Sequence, residues 1–417
     1  MELVLQNIGI LHEENRIRFD GITVLAGENG SGKSTISKSL YCMFRTFFNL
    51  EQRIYKDRER EVFSLFMNAL RIADSPRRIV SEVTIFINQL LNSLAENMDR
   101  TTVVESIKAA SLPLIDGVTA EELATRIEQV MLLRDEKIQE RIASRIFRDK
   151  FDGHIVNVNY QEEGCSIRLI VRDKEISLRI TPEGTTEIKQ QQQLIKDAIY
   201  IGDTYTTELF VGKYGGYGVE RNQVKSLGGE NDSEPSDDQT AAGELLSEKK
   251  ASEILMMMEK AGIGDMQRDE KNRWVYTAKD LRTPIGIENV SSGTKAFLTL
   301  KNLFENKQID RKSVIILDEP EVHLHPKWQM LYAEIIVLLQ KTYDLTLLLS
   351  THSADFVSFI EYYSKVHGSQ EKCNYYLMRK KDQGGASSVD EVTDRIDEIY
   401  RELSLPFLRI TEKLNEE

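Results

Sequence analysis

The octapeptide GENGSGKS, from Gly27 to Ser34, constrains the fold of this chain more than any other stretch. It follows the apolar run IRFDGITVLAG at 17–27 and precedes a segment, Ser34 to about Phe47, that has the apolar spacing of a helix. The pattern G-x-x-x-x-G-K-[ST] between a strand and a helix predicts a loop whose backbone N–H groups surround a phosphate. The sequence therefore predicts an α/β fold in which a buried strand delivers this loop to a helix N-terminus.

The residues of this loop have separate expected roles. The glycines allow the backbone to wrap a β-phosphate, Lys33 reaches the β- and γ-phosphates, and the hydroxyl of Ser34 ligates Mg²⁺. The predicted nucleotide-binding residues here are Gly27, Asn29, Gly30, Ser31, Gly32, Lys33, Ser34 and Thr35.

Two further apolar strands end in residues suited to hydrolysis. SVIILDEP, at 313–320, presents Asp318 to a metal ion and places Glu319 beside it, where a carboxylate orients or deprotonates water. LLLSTHSADF, at 347–356, ends its strand at His352, which is suited to donate a hydrogen bond to a γ-phosphate. Because ligands bind at the carboxyl ends of neighbouring parallel strands, Glu319 and His352 are predicted as catalytic residues. The alternatives are an acidic pair that caps a strand and a buried structural histidine.

A second Ser/Gly element, VSSGTKAF at 290–297, begins a helix far from the phosphate loop. Ser291, Ser292 and Gly293 offer N–H groups, a hydroxyl and the positive end of a helix dipole to an anion. The alternative is a plain helix cap, since serine is a favoured N-cap residue. Ser292 stands 26 residues before Asp318, which is where ATPases of the ABC class carry their signature motif.

The order of these motifs resembles an ABC-type ATPase head. The resemblance implies a P-loop NTPase of ABC-ATPase type that binds and hydrolyses ATP with Mg²⁺ between two head-to-tail subunits. Ser291, Ser292 and Gly293 would then complete the ATP site of a partner subunit, and 322–325 would form the D-loop. The residues that would serve the chain's own ATP are Lys33, Ser34, Asp318, Glu319 and His352.

Details of the motifs resemble one subgroup. DEPEVHLHPKWQ with STHSADF is similar to the bacterial AAA_15/AAA_21-type ATPases, which are related to the heads of overcoming-lysogenization-defect nucleases and to the anti-phage ATPases of Septu and PARIS. This implies control of a separate effector, such as a nuclease or a toxin, in anti-phage defence. The 65 residues after His352 contain no D-x-D, so a Toprim nuclease domain is not expected. The signature element follows the phosphate loop by 259 residues, from Lys33 to Ser292, which is farther than in transporter ATPases. This spacing disfavours a transporter ATPase.

Three other stretches of the sequence contain candidate ligand residues. The resemblance places a missing Mg²⁺-binding Gln near Gly202, which makes Asp203 a candidate metal ligand beside Ser34 and Asp318. His323 and His325 form an H-x-H pair, but no third zinc ligand is apparent. GKYGGYG resembles a dinucleotide fingerprint only loosely, because no βαβ unit surrounds it.

Apolar periodicity predicts the organisation of the chain. Long helical patterns mark an insertion, and the period-two segments HIVNVNY, CSIRLIVRD and KEISLRITPEG predict an antiparallel β lobe. The predicted segments are the first part of the ATPase head at 1–47, a helical insertion at 48–150, a β meander and strand that complete the head at 151–211, a flexible loop at 212–244, the second part of the head at 245–387 and a C-terminal helical segment at 388–417.

The charge of the chain indicates which class of binding partner to expect. The net charge of −13 disfavours a protein that coats nucleic acid, and the segment 51–150 is nearly balanced, with 16 Lys/Arg and 17 Asp/Glu. The expected partners are therefore a second copy of the chain, in a dimer or a higher assembly, and a separate effector protein. The alternative is a DNA-repair or chromosome-maintenance ATPase of RecF/SMC type that binds DNA directly.

The expected location is the cytoplasm. The chain has no apolar run of 18 residues and its N-terminus lacks a basic signal-peptide region, so no membrane contact is expected. Cys42, Cys165 and Cys373 lack C-x-x-C spacing, which fits a reducing compartment.

Overall fold

A computed structural model describes residues 1–70, 83–91, 100–110, 114–190, 192–202, 241–271, 273–306, 308–309, 312–380 and 387–405, of which 241–248 are described as backbone only. The chain divides into two compact units, Met1–Arg45 with Ile146–Glu417, and Thr46–Arg145. No helix within the described ranges is long and apolar enough to cross a membrane.

A mostly parallel sheet lies at the centre of the first unit. Among the described residues its strand order is β14 (Ser387–Glu391), β13 (Cys373–Lys380), β3 (Ile22–Gly27), β12 (Thr346–Thr351), β11 (Val314–Asp318) and β7 (Ala198–Gly202). All neighbours are parallel except β14 and β13. Nearly every residue of β3, β11 and β12 is buried, as expected for parallel strands covered on both faces. The predicted α/β fold is confirmed.

The helices of this unit pack their apolar faces against the sheet. Phe297, Tyr332, Ile336 and Phe356 belong to one buried cluster with apolar residues of the strands. On β12, the hydroxyl of Ser350 lies 2.8 Å from that of Ser37 in the first helix, which ties this helix to the sheet. The helices are α1 (Lys33–Phe47) and α6 (Asp135–Lys150), which both extend into the second unit, α7 (Ala241–Lys260), α8 (Ser292–Glu305), α9 (Pro326–Tyr343), α10 (Ala354–Val366) and α11 (397–405).

An antiparallel sheet forms a second layer of strands. Its order within the described residues is β2 (Asn15–Arg18), β1 (Glu2–Gln6), β4 (Cys165–Val171), β5 (Lys174–Ile180) and β6 (Thr186–Gln190). The strand expected at HIVNVNY is wrong, because only Val156 forms an isolated bridge, with Ile8. Asn157 N–H donates to the Asn7 carbonyl at 3.1 Å, so the alternating burial of this segment comes from packing on the turn after β1.

The C-terminal prediction needs a correction. The interval 388–417 was expected to be helical, but 387–391 form β14, paired antiparallel with β13, and α11 begins only at 397. Hydrogen bonding to an otherwise open sheet edge overrides the weak local preference of SSVDE. A short sheet of β8 (Asp265–Arg268), β9 (Trp274–Thr277) and β10 (Ile285–Gly286) precedes α8.

The second unit is helical. Val62, Phe66, Ile87, Ile107 and Leu123 lie in its buried core. On each helix the core residues are four apart, as in Val62 and Phe66, Val83 and Ile87, Val103 and Ile107, and Leu123 and Ile127, which brings them to one face. The helices are α2 (Leu50–Ala69), α3 (83–91), α4 (Arg100–Ala109) and α5 (Ala120–Met131).

Part of the predicted loop is helical. Residues 241–244, assigned to the flexible loop at 212–244, belong to α7, which begins at two alanines, residues with a high helix propensity. Residues 203–240 lie outside the described ranges, and with them the rest of this loop, the GKYGGYG stretch and Asp203.

Candidate nucleotide-binding site

The phosphate loop connects β3 directly to α1, as the sequence predicts. Gly30 and Gly32 have φ values of 70° and 99°, a region that glycine enters without steric cost. A side chain at Gly27 would place its Cβ 2.6 Å from the carbonyl oxygen of Met378 on β13, so this position has room only for glycine. Asn29 lies exposed at the tip of the loop, and Thr35 N–H donates to the Gly32 carbonyl at 3.0 Å.

Lys33 and Ser31 face the interior of this loop. Lys33 is only 4% exposed, and its Nζ donates to the carbonyls of Gly27 and Glu28 at 2.9 Å each. Burial lowers the pKa of Lys33, and the nearby carboxylates, Glu319 foremost, oppose that shift. The buried hydroxyl of Ser31 has no hydrogen-bond partner. A bound phosphate would neutralise the buried ammonium and accept from this hydroxyl.

Asp318 ends β11 with its two carboxylate oxygens in different environments. Its Oδ2 accepts a hydrogen bond from the Tyr200 hydroxyl at 2.7 Å, whereas its buried Oδ1 has no partner. A carboxylate oxygen without a partner and the hydroxyl of Ser34, at the start of α1, fit the few protein ligands that Mg²⁺ takes beside phosphate oxygens and water. No group of three His, Cys, Asp or Glu in the described ranges is arranged to hold a metal alone.

Glu319 and His352 meet at the ends of adjacent strands. The His352 Nδ1 lies 3.4 Å from Glu319 Oε1. Glu319 has a φ of 52°, unusual for a residue other than glycine, and its N–H donates to the Ser350 carbonyl at 2.9 Å. Both side chains are partly exposed. The structure therefore brings the two predicted catalytic residues into contact at an edge of the site that solvent reaches.

Glu321 is a site residue that the sequence motifs did not indicate. It is 3% exposed, and one oxygen accepts hydrogen bonds from the Thr351 hydroxyl and from the His352 N–H, the latter at 3.3 Å. Burial raises the pKa of the Glu321 carboxyl, although the Thr351 hydroxyl opposes this. Glu321 thus joins the turn after β11 to the turn after β12. Its signal was the second Glu of DEPE, a further acidic residue directly after the predicted acidic pair and Pro320.

Two more neighbours of the site carried little sequence signal. Tyr200 lies on β7, and Lys380 ends β13. A Cβ at Gly30 would lie 3.3 Å from the Lys380 Nζ, so this ammonium is a second cation beside the loop tip. Neither residue belongs to a recognisable motif, because it is the order of strands in the sheet that brings them to the site.

The second Ser/Gly element begins α8 as expected. Ser291 is the N-cap, and its Oγ accepts from the Thr294 N–H at 3.2 Å. Gly293 is buried, and a Cβ there would lie 3.0 Å from the carbonyl oxygen of His323. Gly293, in the first turn of α8, therefore packs against the turn that follows β11. The contribution of Ser292, Gly293 and the start of α8 to a partner's ATP site stays a prediction.

The H-x-H pair has a local structural role at one of its members. His325 caps α9, its Nδ1 accepting from the Lys327 N–H at 3.3 Å, and Pro326 occupies the first helical position.

Residues 221–358 match the family model described as "AAA domain, putative AbiEii toxin, Type IV TA system". The matched range includes Ser292, Asp318 and His352. This part of the chain is therefore similar to an AAA domain. The phosphate loop precedes the matched range and joins it in space through the pairing of β3 with β12.

Solved structures similar to this chain include SMC heads at low identity. One is an SmcHead bound to the C-winged helix domain of ScpA, with TM-score 0.44, 12% identity and coverage of 94% of this chain and 96% of that chain. Another is the SMC head domain from Thermotoga maritima, with TM-score 0.39, 11% identity and coverage of 94% and 98%. A third is an Smc head domain with an extended coiled coil, bound to the C-terminal domain of ScpA derived from Pyrococcus furiosus, with TM-score 0.43, 12% identity and coverage of 96% and 98%.

Replacing Glu321 with Ala or with Gln should distinguish the stability that comes from its hydrogen bonds from the effect of its charge. Glu321→Ala leaves the Thr351 hydroxyl and the His352 N–H without their acceptor, and we expect the free energy of unfolding to fall by about 1–3 kcal/mol. Glu321→Gln keeps an acceptor oxygen and should cost less. Chemical denaturation measures both, with Glu371→Gln at an exposed position as the control. An equal loss in the Ala and Gln variants would contradict the hydrogen-bonding role.

The same Gln variant has an expected pH dependence. Because burial raises the pKa of Glu321 above its unfolded value, the stability from the protonated carboxyl is fully present below the unfolded pKa and is lost as the pH rises through the folded pKa. The stability of Glu321→Gln relative to the unmodified protein should therefore increase with pH. A difference that stays constant with pH would show that the carboxyl is not affected by its burial.

Proposed function

We propose that this ATPase domain binds and hydrolyses ATP with Mg²⁺ between two head-to-tail copies of the chain. The observation that carries the proposal is the meeting, at the carboxyl ends of β3, β12 and β11, of a buried lysine, two unpartnered buried oxygens and a Glu–His pair. These residues are Lys33, Ser31, Asp318, Glu319 and His352. A triphosphate with a divalent cation supplies the charges and hydrogen-bond partners that they lack.

Each side chain has one task in this reaction. Lys33 and the N–H groups of the loop hold the β- and γ-phosphates. Ser34 and Asp318 would hold Mg²⁺, which would supply positive charge to the phosphate oxygens when bound. Glu319 orients the attacking water and takes its proton, since its carboxylate is partly exposed at the site. His352, beside Glu319, donates a hydrogen bond to the γ-phosphate.

A second copy of the chain would supply the phosphate that binds at the start of α8. Ser292 and the first N–H groups of this helix form an anion-binding terminus in a chain that already has one at α1. Gly293 packs closely on the turn that follows Asp318 and Glu319, so this terminus lies against the turn that carries the proposed metal ligand and general base. A partner's γ-phosphate at Ser292 would thus connect the two sites.

We infer further that the ATPase controls a separate effector protein, such as a nuclease or a toxin, in anti-phage defence. The reference to a toxin–antitoxin system in the matched family's description supports this setting. The net charge of −13 favours a protein partner over direct binding to DNA.

Glu319→Gln should separate ATP binding from hydrolysis. The amide keeps the size of the side chain but cannot accept the proton of water, so turnover should fall by about 10²–10⁴-fold. ATP should still bind, and an ATP-bound dimer should accumulate in size-exclusion chromatography with light scattering. Glu371→Gln is the matched control. Normal turnover of Glu319→Gln would remove Glu319 from the general-base role.

Mixing two inactive variants should test whether the sites are shared. Lys33→Ala and Ser292→Arg each disable one half of a composite site, so a mixed dimer contains one intact site and should recover part of the ATPase rate. Lys33→Ala mixed with Glu319→Gln should recover nothing, because both changes affect the same half. Absence of recovery in verified Lys33→Ala/Ser292→Arg dimers would contradict a shared site.

Binding to duplex DNA separates the effector proposal from direct action on DNA. We expect weak binding in fluorescence anisotropy at both low and moderate salt, because the chain is acidic overall. Strong binding that falls steeply with salt would indicate phosphate contacts and contradict the proposed class of partner.

A further inference from the structure

We propose that Tyr200 is a positioning residue that aims one oxygen of Asp318 at Mg²⁺, an inference that rests on the proposed function. The observation is a hydrogen bond of 2.7 Å from the Tyr200 hydroxyl to Asp318 Oδ2, next to an Oδ1 that is buried without a partner. The two oxygens of one carboxylate are thereby made unequal.

Sheet pairing produces this contact. β7 lies parallel to β11, with Tyr200 opposite Ile316 and Gly202 opposite Asp318. The backbone of Tyr200 therefore lies two residues short of the position opposite Asp318. Its long side chain extends along the strand direction and reaches the carboxylate. A shorter side chain on this strand would not span that separation.

The ring of Tyr200 is held in place from several sides. It is 6% exposed, the Lys150 Nζ lies 3.7 Å from its centroid, and the Tyr41 ring lies 5.5 Å away. A Cβ at Gly202 would lie 2.5 Å from the Tyr200 Cε1, so the absence of a side chain at 202 allows the ring to occupy this place. The hydroxyl consequently has little freedom to turn away from Asp318.

A fixed donor on one oxygen has a chemical consequence. The hydrogen bond restricts rotation of the carboxylate and leaves Oδ1 as the oxygen that faces a ligand. Because the phenol is neutral, it orients the carboxylate without adding a cation that would compete with the metal. Groups that orient a metal ligand in this way alter metal affinity although they do not touch the metal.

The same strand was expected to supply a direct ligand. The candidate ligand is Asp203, which comes just after β7 in the sequence and lies outside the described residues. Tyr200 comes from within β7 and acts through Asp318, so its role does not depend on the position of Asp203.

The test is the Mg²⁺ dependence of ATP binding to full-length Tyr200→Phe, measured by calorimetry. ATP affinity in EDTA should equal that of the unmodified protein, because the phosphate loop is unaffected. The MgCl₂ concentration that gives half of the Mg²⁺-dependent gain in affinity should rise by about 10-fold or more. Tyr376→Phe is the matched control, since Tyr376 is a buried tyrosine of the same sheet whose hydroxyl accepts from the Arg18 N–H at 2.9 Å.

Each outcome decides between roles. An unchanged Mg²⁺ requirement, or an equal loss of affinity with and without Mg²⁺, would overturn the positioning role. If Tyr200→Phe does not fold, Gly202→Ala displaces the ring while keeping the hydroxyl, and it should raise the Mg²⁺ requirement in the same way or overturn the proposal. Failure of the unmodified protein to bind ATP at all would instead reject the proposed function.

Discussion

The parallel pairing of β12 with both β3 and β11 is the constraint on which the candidate site depends. In this register Thr351 lies opposite Ala26, and Ser350 lies opposite Asp318. Elements far apart in the chain therefore end at one edge of the sheet, where the phosphate loop, the acidic pair and His352 emerge together. Ser37 and Ser350 add a buried contact between α1 and the same strand.

Burial at this edge leaves polar groups incompletely satisfied, and that is the main physical evidence for a ligand. Buried polar atoms normally have hydrogen-bond partners. Here Ser31 Oγ and Asp318 Oδ1 have none. Lys33 and Glu321 carry opposite pKa shifts from the same cause, since burial disfavours the charged form of each. An anion held with a divalent cation would satisfy Ser31, Lys33 and Asp318 together.

Local sequence pattern predicted most of the elements that carry the site. The strands leading to Gly27, Asp318 and Thr351 are apolar runs, as expected for buried parallel strands. The strand predicted at HIVNVNY was wrong because the alternating burial of this segment arises from packing on a turn. Such packing gives the same period of two as a half-buried strand. The strand at 387–391 was missed because its pairing with β13 comes from a distant part of the chain.

The sequence by itself determined the phosphate loop, the acidic pair, the histidine at the end of β12 and the second Ser/Gly helix start, because each is a short motif whose chemistry depends on residues close together in the chain. Only the tertiary structure decided that Tyr200 reaches Asp318, that Glu321 joins two turns and that Lys380 approaches the loop tip. These contacts depend on which strands are neighbours and on their register. Strand order is set by burial of the whole core, and so it cannot be read from a local stretch of sequence.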